Sequence, residues 1–178
     1  MKKILTVITL FSIFSISQGA EWATDEGSCF QKGDMNGSVG LSMFYFGFYG
    51  TFDYAVHEAI SAGGGLGFNT FKYSSWARHN HFPIVARALF HPFNLSVLAD
   101  KVSIRNKLDV YVGFSLGWDI GWWKYDGVGS VASDKDDIGG FIIRENIGAR
   151  FYFAPTFYAF VEEGAGFGWI NGGVGMKF

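Results

Sequence analysis

The sequence predicts an all-β protein: an eight-stranded antiparallel up-and-down transmembrane β-barrel, preceded by a cleaved signal peptide. Three observations predict it. Long stretches alternate apolar residues with polar or small ones, which is the side-chain period of a strand. Glycine is abundant at 25 of 178 residues and aromatics reach 19%, while charged residues make only 17%. Mean hydropathy is positive at +0.17, yet no stretch beyond the N-terminal segment is continuously apolar over the roughly 20 residues that a membrane helix needs. Apolar content spread through alternating strands suits a barrel whose outer face meets lipid. A soluble β-sandwich, the competing architecture, carries more charge on its outer faces.

The chain opens with a basic head, Lys2 and Lys3, then an apolar run from Ile4 to Ile16, then the small residues Ser17, Gly19 and Ala20. That is the layout of a secretory signal peptide. The apolar run is too short for a spanning helix. Cleavage is expected near Ala20, and Ser17-Gln18-Gly19 fits a cut one residue earlier. The domain division expected is 1–20 signal peptide, 21–37 flexible leader and 38–178 barrel. Cys29 is the only cysteine. It excludes an intramolecular disulfide, and it lies too far beyond the apolar run, behind acidic residues, to take a lipid anchor.

The strands follow in order. Ser38 to Tyr45 places Val39, Leu41, Met43 and Tyr45 on one face. Tyr49 to Val56 sets Gly50, Phe52, Tyr54 and Val56 against Thr51, Asp53 and Ala55. Ala59 to Phe71 sets Ile60, Ala62, Leu66 and Phe68 against Ser61, Gly63, Gly65, Gly67 and Asn69. Ile84 to His91 sets Ile84, Ala86, Ala88 and Phe90 against Val85, Arg87, Leu89 and His91. Leu108 to Trp122 alternates strictly, with apolar even positions and Asp109, Tyr111, Gly113, Ser115, Gly117, Asp119 and Gly121 between them. A helix does not produce that pattern. Gly140 to Phe153 sets Phe141, Ile143, Ile147, Ala149 and Phe151 against Arg144, Asn146, Gly148, Arg150 and Tyr152. Glu145 interrupts its apolar face and suggests a bulge or register shift. Thr156 to Glu163 turns Phe157, Ala159 and Val161 outward. The terminal strand ends with Ile170, Gly172, Val174, Met176 and Phe178 on its apolar face.

Eight is an even number, as single-chain bacterial barrels require. Tight turns at His57-Glu58 and Ala154-Pro155 belong to the inner end. Longer connections near Gly47, Trp76 to His81, Asp126 to Ile138 and Gly164 to Gly168 belong to the outer end. The inner stretch Phe93 to Lys107 is long for such a turn, and Leu95, Leu98 and Val102 suit one face of a short helix. Trp118 and Trp122 near the outer end, with Phe151, Phe153 and Phe157 near the inner end, form the two aromatic girdles.

Asp53-Tyr54, Arg87, the run Leu108-Asp109-Val110-Tyr111-Val112-Gly113, the run Gly148-Ala149-Arg150-Phe151-Tyr152-Phe153 and the ending Gly172-Gly173-Val174-Gly175-Met176-Lys177-Phe178 together resemble the small outer-membrane β-barrel domain family. The resemblance is to eight-stranded barrels of the OmpA and OmpX type and covers nearly all of the mature chain. It implies the bacterial outer membrane as location and the terminal aromatic Phe178 as the signal read by the barrel insertion machinery. It also implies outer-membrane lipids as partners and, through the outer loops, an extracellular ligand. It implies no cofactor.

The inward charges carry the functional reading. Acids Asp53, Asp109, Asp119 and Glu162 face bases Arg87, Arg144, Arg150 and Lys177, four against four. An eight-stranded barrel is just wide enough for side chains to fill, so these read as a lumen charge network of ion pairs. Arg150 and Glu162, across the Ala154-Pro155 turn, are the expected pair, and inward glycines leave room for the arginines. The expectation is a non-enzymatic structural or surface-interaction protein. The alternatives are a narrow transport pore and an enzyme modifying lipids of the outer leaflet. Such an enzyme would resemble small barrels that use a histidine with a serine and an acid near the outer surface. Here only His79 and His81 lie outward, near Ser74 and Ser75, while His57 and His91 lie at the inner end.

Two ligands from His79-Asn80-His81 are too few for a closed zinc site, and the Asp134 to Asp137 loop reads as solvated. The runs Gly63-Gly64-Gly65 and Gly164-Ala165-Gly166-Phe167-Gly168 lack the spacing and following helix of a nucleotide loop. A net charge of -2 without a basic run excludes nucleic acid.

Overall fold

The computed structural model describes residues 28–44, 46–72, 77–99, 101–125 and 139–178. The expected signal peptide, residues 21–27 of the expected leader, Tyr45, Ser74, Ser75 and the Asp134 to Asp137 loop lie outside the described residues. Eight antiparallel strands form a closed barrel in chain order: β1 (Met35–Ser42), β2 (Phe46–His57), β3 (Ile60–Lys72), β4 (Ala77–Phe90), β5 (Leu108–Tyr125), β6 (Gly140–Tyr152), β7 (Phe157–Gly164) and β8 (Gly168–Lys177). Each strand pairs with its sequence neighbours, and β1 closes on β8 from Asn36↔Lys177 to Ser42↔Asn171. The Phe178 N–H donates to the Met35 carbonyl at 2.8 Å, so the seam closes to the last residue. The end where β1 starts and β8 finishes is the lower end; the opposite end is the upper.

The alternation dictates the layering. Apolar side chains point outward: Phe46 is 78% exposed and Val39 63%. Polar and charged side chains point inward: Arg150 is 1% exposed and Asp53 0%. A water-soluble protein shows the reverse. Phe48, Phe68 and Trp122 touch in sequence around the outer surface toward its upper end, with ring centroids 5.9 and 6.1 Å apart.

Several expected boundaries shift. β1 starts at Met35, inside the expected leader, and residues 28–34 fold under the barrel with Cys29 and Phe30 buried. Gly33 adopts φ +94° there, and its N–H donates to the Ala55 carbonyl at 2.9 Å. β4 starts at Ala77, so His79 and His81 lie in a strand rather than in the expected loop. Pro83 sits within β4, and the β3–β4 ladder lapses beside it between Leu66↔Ile84 and Asn69↔His81, because proline has no N–H to donate. Glu145 causes no break: the β5–β6 register runs unbroken from Leu108↔Phe151 to Asp119↔Gly140, and Glu145 is exposed on the outer face. The register shifts lie instead at Ala55/His57 and at Glu163/Gly164. The long lower connection contains a 3-10 turn (Pro92–Asn94) and the short helix α1 (Ser96–Ala99). Leu95 packs there against Ala59 and Phe90.

The walls differ in height. β7, β8 and β1 have 8, 10 and 8 residues, while β3, β4 and β5 have 13, 14 and 18. The β7–β8 turn therefore ends partway up the barrel. Gly164, Ala165 and Gly166 all take positive φ, at 85°, 58° and 84°. They turn the loop into the lumen, where Ala165 and Phe167 are fully buried.

Candidate functional site: a filled lumen

The lumen is occupied in layers. At the bottom, the Phe30 ring stacks on His91 with centroids 3.6 Å apart and planes 13° from parallel. Asn94 holds Phe30 in place, its Nδ2 donating to the Phe30 carbonyl at 2.8 Å. His91 Nδ1 donates to Asp109 Oδ1 at 2.7 Å, since a carboxylate only accepts. Its Nε2 lies 3.0 Å from Ser61 Oγ. Sequence parity placed His91 inward, but its place as a hub is visible only in the folded barrel.

The middle layer is ionic. Arg87 donates to Glu162 through Nη2 at 2.6 Å and Nη1 at 3.3 Å. Its Nε lies 3.1 Å from Asp53 Oδ1 as an ion contact. Arg150 Nη2 donates to Asp53 Oδ2 at 2.6 Å, and its Nη1 lies 3.6 Å from Asp109 Oδ2. The Arg150 guanidinium also sits over the Tyr111 and Tyr158 rings, at 4.7 and 5.5 Å from their centroids. Cations are attracted to ring faces at such distances. The expected Arg150–Glu162 pair is corrected. Register places Glu162 opposite Gly148 and Arg150 opposite Phe160; Glu162 and Arg150 instead take their shortest ion pairs across the lumen, to Arg87 and Asp53, while Asp109 is the direct ladder partner of Arg150.

Five of the eight expected network residues thus meet: Asp53, Arg87, Asp109, Arg150 and Glu162. The other three do not join them. Asp119 Oδ2 accepts from His81 Nδ1 at 2.6 Å near the upper end, and His81 Nε2 lies 2.9 Å from His79 Nδ1. Lys177 donates to Asp34 Oδ2 at 3.2 Å and to the Cys29 carbonyl at 3.1 Å at the lower mouth. Arg144 is exposed, because β6 rises above the end of β7 there. The inward glycines make room chiefly for rings rather than for arginines. A Cβ on Gly148 would lie 2.5 Å from the Tyr111 ring, and one on Gly40 or Gly67 would lie 2.8 Å from Tyr49 or Phe167.

The upper layer is apolar. Tyr49, Val85, Ala165 and Phe167 cluster with Ile142 and Phe160. Tyr49 stacks on Phe167 at 4.6 Å and meets Phe160 edge-on at 6.1 Å. The Ala165 N–H donates to Asn146 Oδ1 at 2.9 Å, which ties the inturned loop to β6.

Ser61, His91 and Asp109 reproduce the bonding order of a nucleophile relay. Ser61 is nonetheless fully buried, and Phe30 covers the imidazole, so no substrate reaches the hydroxyl in this conformation. Among the described residues, no three His, Cys, Asp or Glu side chains converge as a metal would require.

No protein-family model matches the sequence, and no curated protein matches it. Solved structures do match in shape. Ail, the attachment invasion locus protein of Yersinia pestis, superimposes with a TM-score of 0.51 at 14% identity, covering 83% of this chain and 100% of its own. The outer membrane protein OprG from Pseudomonas aeruginosa gives 0.53 at 11% identity, covering 86% of this chain and 99% of its own. With the closed ladder and the apolar exterior, these likenesses make the fold of this chain that of the small eight-stranded outer-membrane barrels.

Proposed function

We propose that this is a non-enzymatic barrel of a bacterial outer membrane, with a side-chain-filled lumen and a structural or surface-interaction role. The lower end faces the periplasm in this reading. Its partners are outer-membrane lipids, the insertion machinery that reads Phe178, and an extracellular ligand met by the upper end. Phe178 suits its part: it is 62% exposed on the outer face at the end of β8. The inside-out layering supports the membrane location, because an apolar exterior of this extent is stable only against lipid.

The observation that carries the closed lumen is its continuous filling. Phe30 on His91, the Arg87–Glu162 and Arg150–Asp53 pairs, and Phe167 on Tyr49 occupy the axis at three successive levels. A channel would instead leave its charges facing water. The test is single-channel recording of the refolded barrel in a planar bilayer. Silence from folded protein is expected, and steady current steps would replace this reading with the pore. A fluorophosphonate probe separates the enzyme: Ser61 stays unlabelled in the folded barrel if the relay is structural, whereas labelling at Ser61 would revive catalysis.

A further inference from the structure

Residues 28–34 close the lower mouth without joining the wall. Pairing with β2 reaches them only at the rim, where the Ala55 N–H donates to the Asp34 carbonyl and the Gly33 N–H to the Ala55 carbonyl, both at 2.9 Å. Before Gly33, none of residues 28–32 takes a rung of the β1–β2 or β1–β8 ladder. They dock on side chains and on the lower connector instead. Asn94 is the clamp: its Oδ1 accepts from Ser28 Oγ at 2.6 Å, and its Nδ2 donates to the Phe30 carbonyl at 2.8 Å. Lys177 Nζ donates to the Cys29 carbonyl at 3.1 Å and to Asp34 Oδ2 at 3.2 Å. The Cys29 N–H donates to the Arg105 carbonyl at 3.0 Å.

Two side chains make the seal. Phe30 lies flat on His91, and Cys29 packs against Tyr152 and Tyr158. Farther along, Lys32 and Gly33 are exposed. What the seal covers is polar: His91 lies behind Phe30, bonded to Ser61 and Asp109. Above it, the Arg87–Glu162 and Arg150–Asp53 pairs close the lumen without any help from the segment. Releasing residues 28–32 therefore uncovers Cys29 and Phe30 and breaks no strand pair, whereas global unfolding breaks the whole ladder. A segment docked in this way opens at a lower free energy than the domain unfolds. Gly33 is the pivot. Its φ is +94°, and nothing lies within 4 Å of where a Cβ would be. Backbone conformation, not packing, therefore selects glycine there.

We propose that residues 28–32 are a hinged stopper that swings about Gly33 between a docked and a released position while the barrel stays folded. Release turns the lower mouth into an open polar cup, with Ser61, His91, Asp109 and Asn94 facing the solution. The ionic layer stays shut, so the change alters what the lower end presents and passes no current. That the cup faces the periplasm rests on the orientation proposed above; the opening itself does not.

Cys29 reports the position of the stopper, because it is the only cysteine and is buried in the docked segment. The barrel refolded in detergent is labelled with iodoacetamide in buffer and at urea concentrations below its unfolding transition. Local release predicts a labelling rate nearly independent of urea, since little surface is exposed on opening. Labelling through global unfolding would rise with urea as steeply as unfolding itself. Phe30→Ala, which takes the ring off His91, should speed labelling in buffer by about tenfold to a hundredfold. Gly33→Ala strains only the docked position and should speed it about fivefold or more. Heat-dependent migration on gels reports folding. If Phe30→Ala fails to fold, Gly33→Ala and the urea series of the wild type decide. Wild-type labelling that tracks global unfolding would overturn the stopper, as would equal rates in buffer for wild type and Gly33→Ala. Labelling of the wild type as fast as a free thiol would overturn it too, since the segment would then never dock.

Discussion

Cys29 shows how far a single residue departs from what its sequence context suggests. In sequence it is a lone thiol in a polar leader. In the barrel it packs against Tyr152 and Tyr158, and its N–H donates to the Arg105 carbonyl at 3.0 Å. Burial first, and the nearby Asp109 charge second, push its thiol up from 9.0 to about 12. The folded state therefore holds this proton more tightly than the unfolded chain does. The stability it confers is complete below about pH 9 and is lost as pH rises toward about 12. Iodoacetamide at about pH 8 should label Cys29 much more slowly in the folded barrel than in urea, because the thiolate is the nucleophile. Equal labelling rates would place residues 28–34 outside the barrel mouth. Pairing among the lumen charges is likewise a residue-scale matter. Parity alone makes Asp53, Arg87, Asp109, Arg150 and Glu162 legible as inward. Their partners are not legible, because Asp53 on β2 and Arg150 on β6 meet across a space that no strand ladder spans.

Element by element, alternation makes the strands readable, and their ends are where it stops informing. β5 is legible over nearly its whole length because large apolar residues occupy every even position from Leu108 to Trp122. β4 is legible only below Pro83, since His79 and His81 carry no apolar signal, although backbone pairing continues to Ala77. The start of β1 is hidden for the same reason: Asn36 is a polar inward residue that binds the Tyr152 hydroxyl, which donates to Asn36 Oδ1 at 3.0 Å. Glycine placement is the sharper element-scale test. Gly148 on β6 faces the Tyr111 ring of β5 at a distance that leaves no space for a methyl group. Gly148→Ala should cost about 1–3 kcal/mol by displacing that ring and the Arg150 guanidinium above it. Gly140→Ala, where nothing lies within 4 Å of the added Cβ, should leave the urea midpoint nearly unchanged. Equal effects of the two substitutions would mean that the ring does not fill the lumen at Gly148.

On the scale of the whole molecule, the ionic layer joins strands that the ladder keeps apart. Arg87 of β4 reaches Asp53 of β2 and Glu162 of β7. Arg150 of β6 reaches Asp53 of β2 and Asp109 of β5. His91, just beyond β4, links Asp109 to Ser61 of β3. Six of the eight strands are thus tied across the interior by one network, while lipid-facing side chains do nothing to hold opposite walls together. The fold class, the strand count and the filled interior are legible in composition and period. The inturned β7–β8 loop and the stopper formed by residues 28–34 are not, because both depend on which end of a closed wall leaves space to fill. The central claim is that paired charges, rather than water, occupy the middle of the barrel. Urea unfolding of wild type and Arg150→Ala in detergent tests it most directly. Arg150→Ala takes a buried cation from Asp53 and Asp109 and leaves them only Arg87 and His91, so the variant should lose stability, by up to about 3–5 kcal/mol. An unchanged unfolding free energy would mean that water already solvates Asp53 and Asp109, and would contradict the filled lumen.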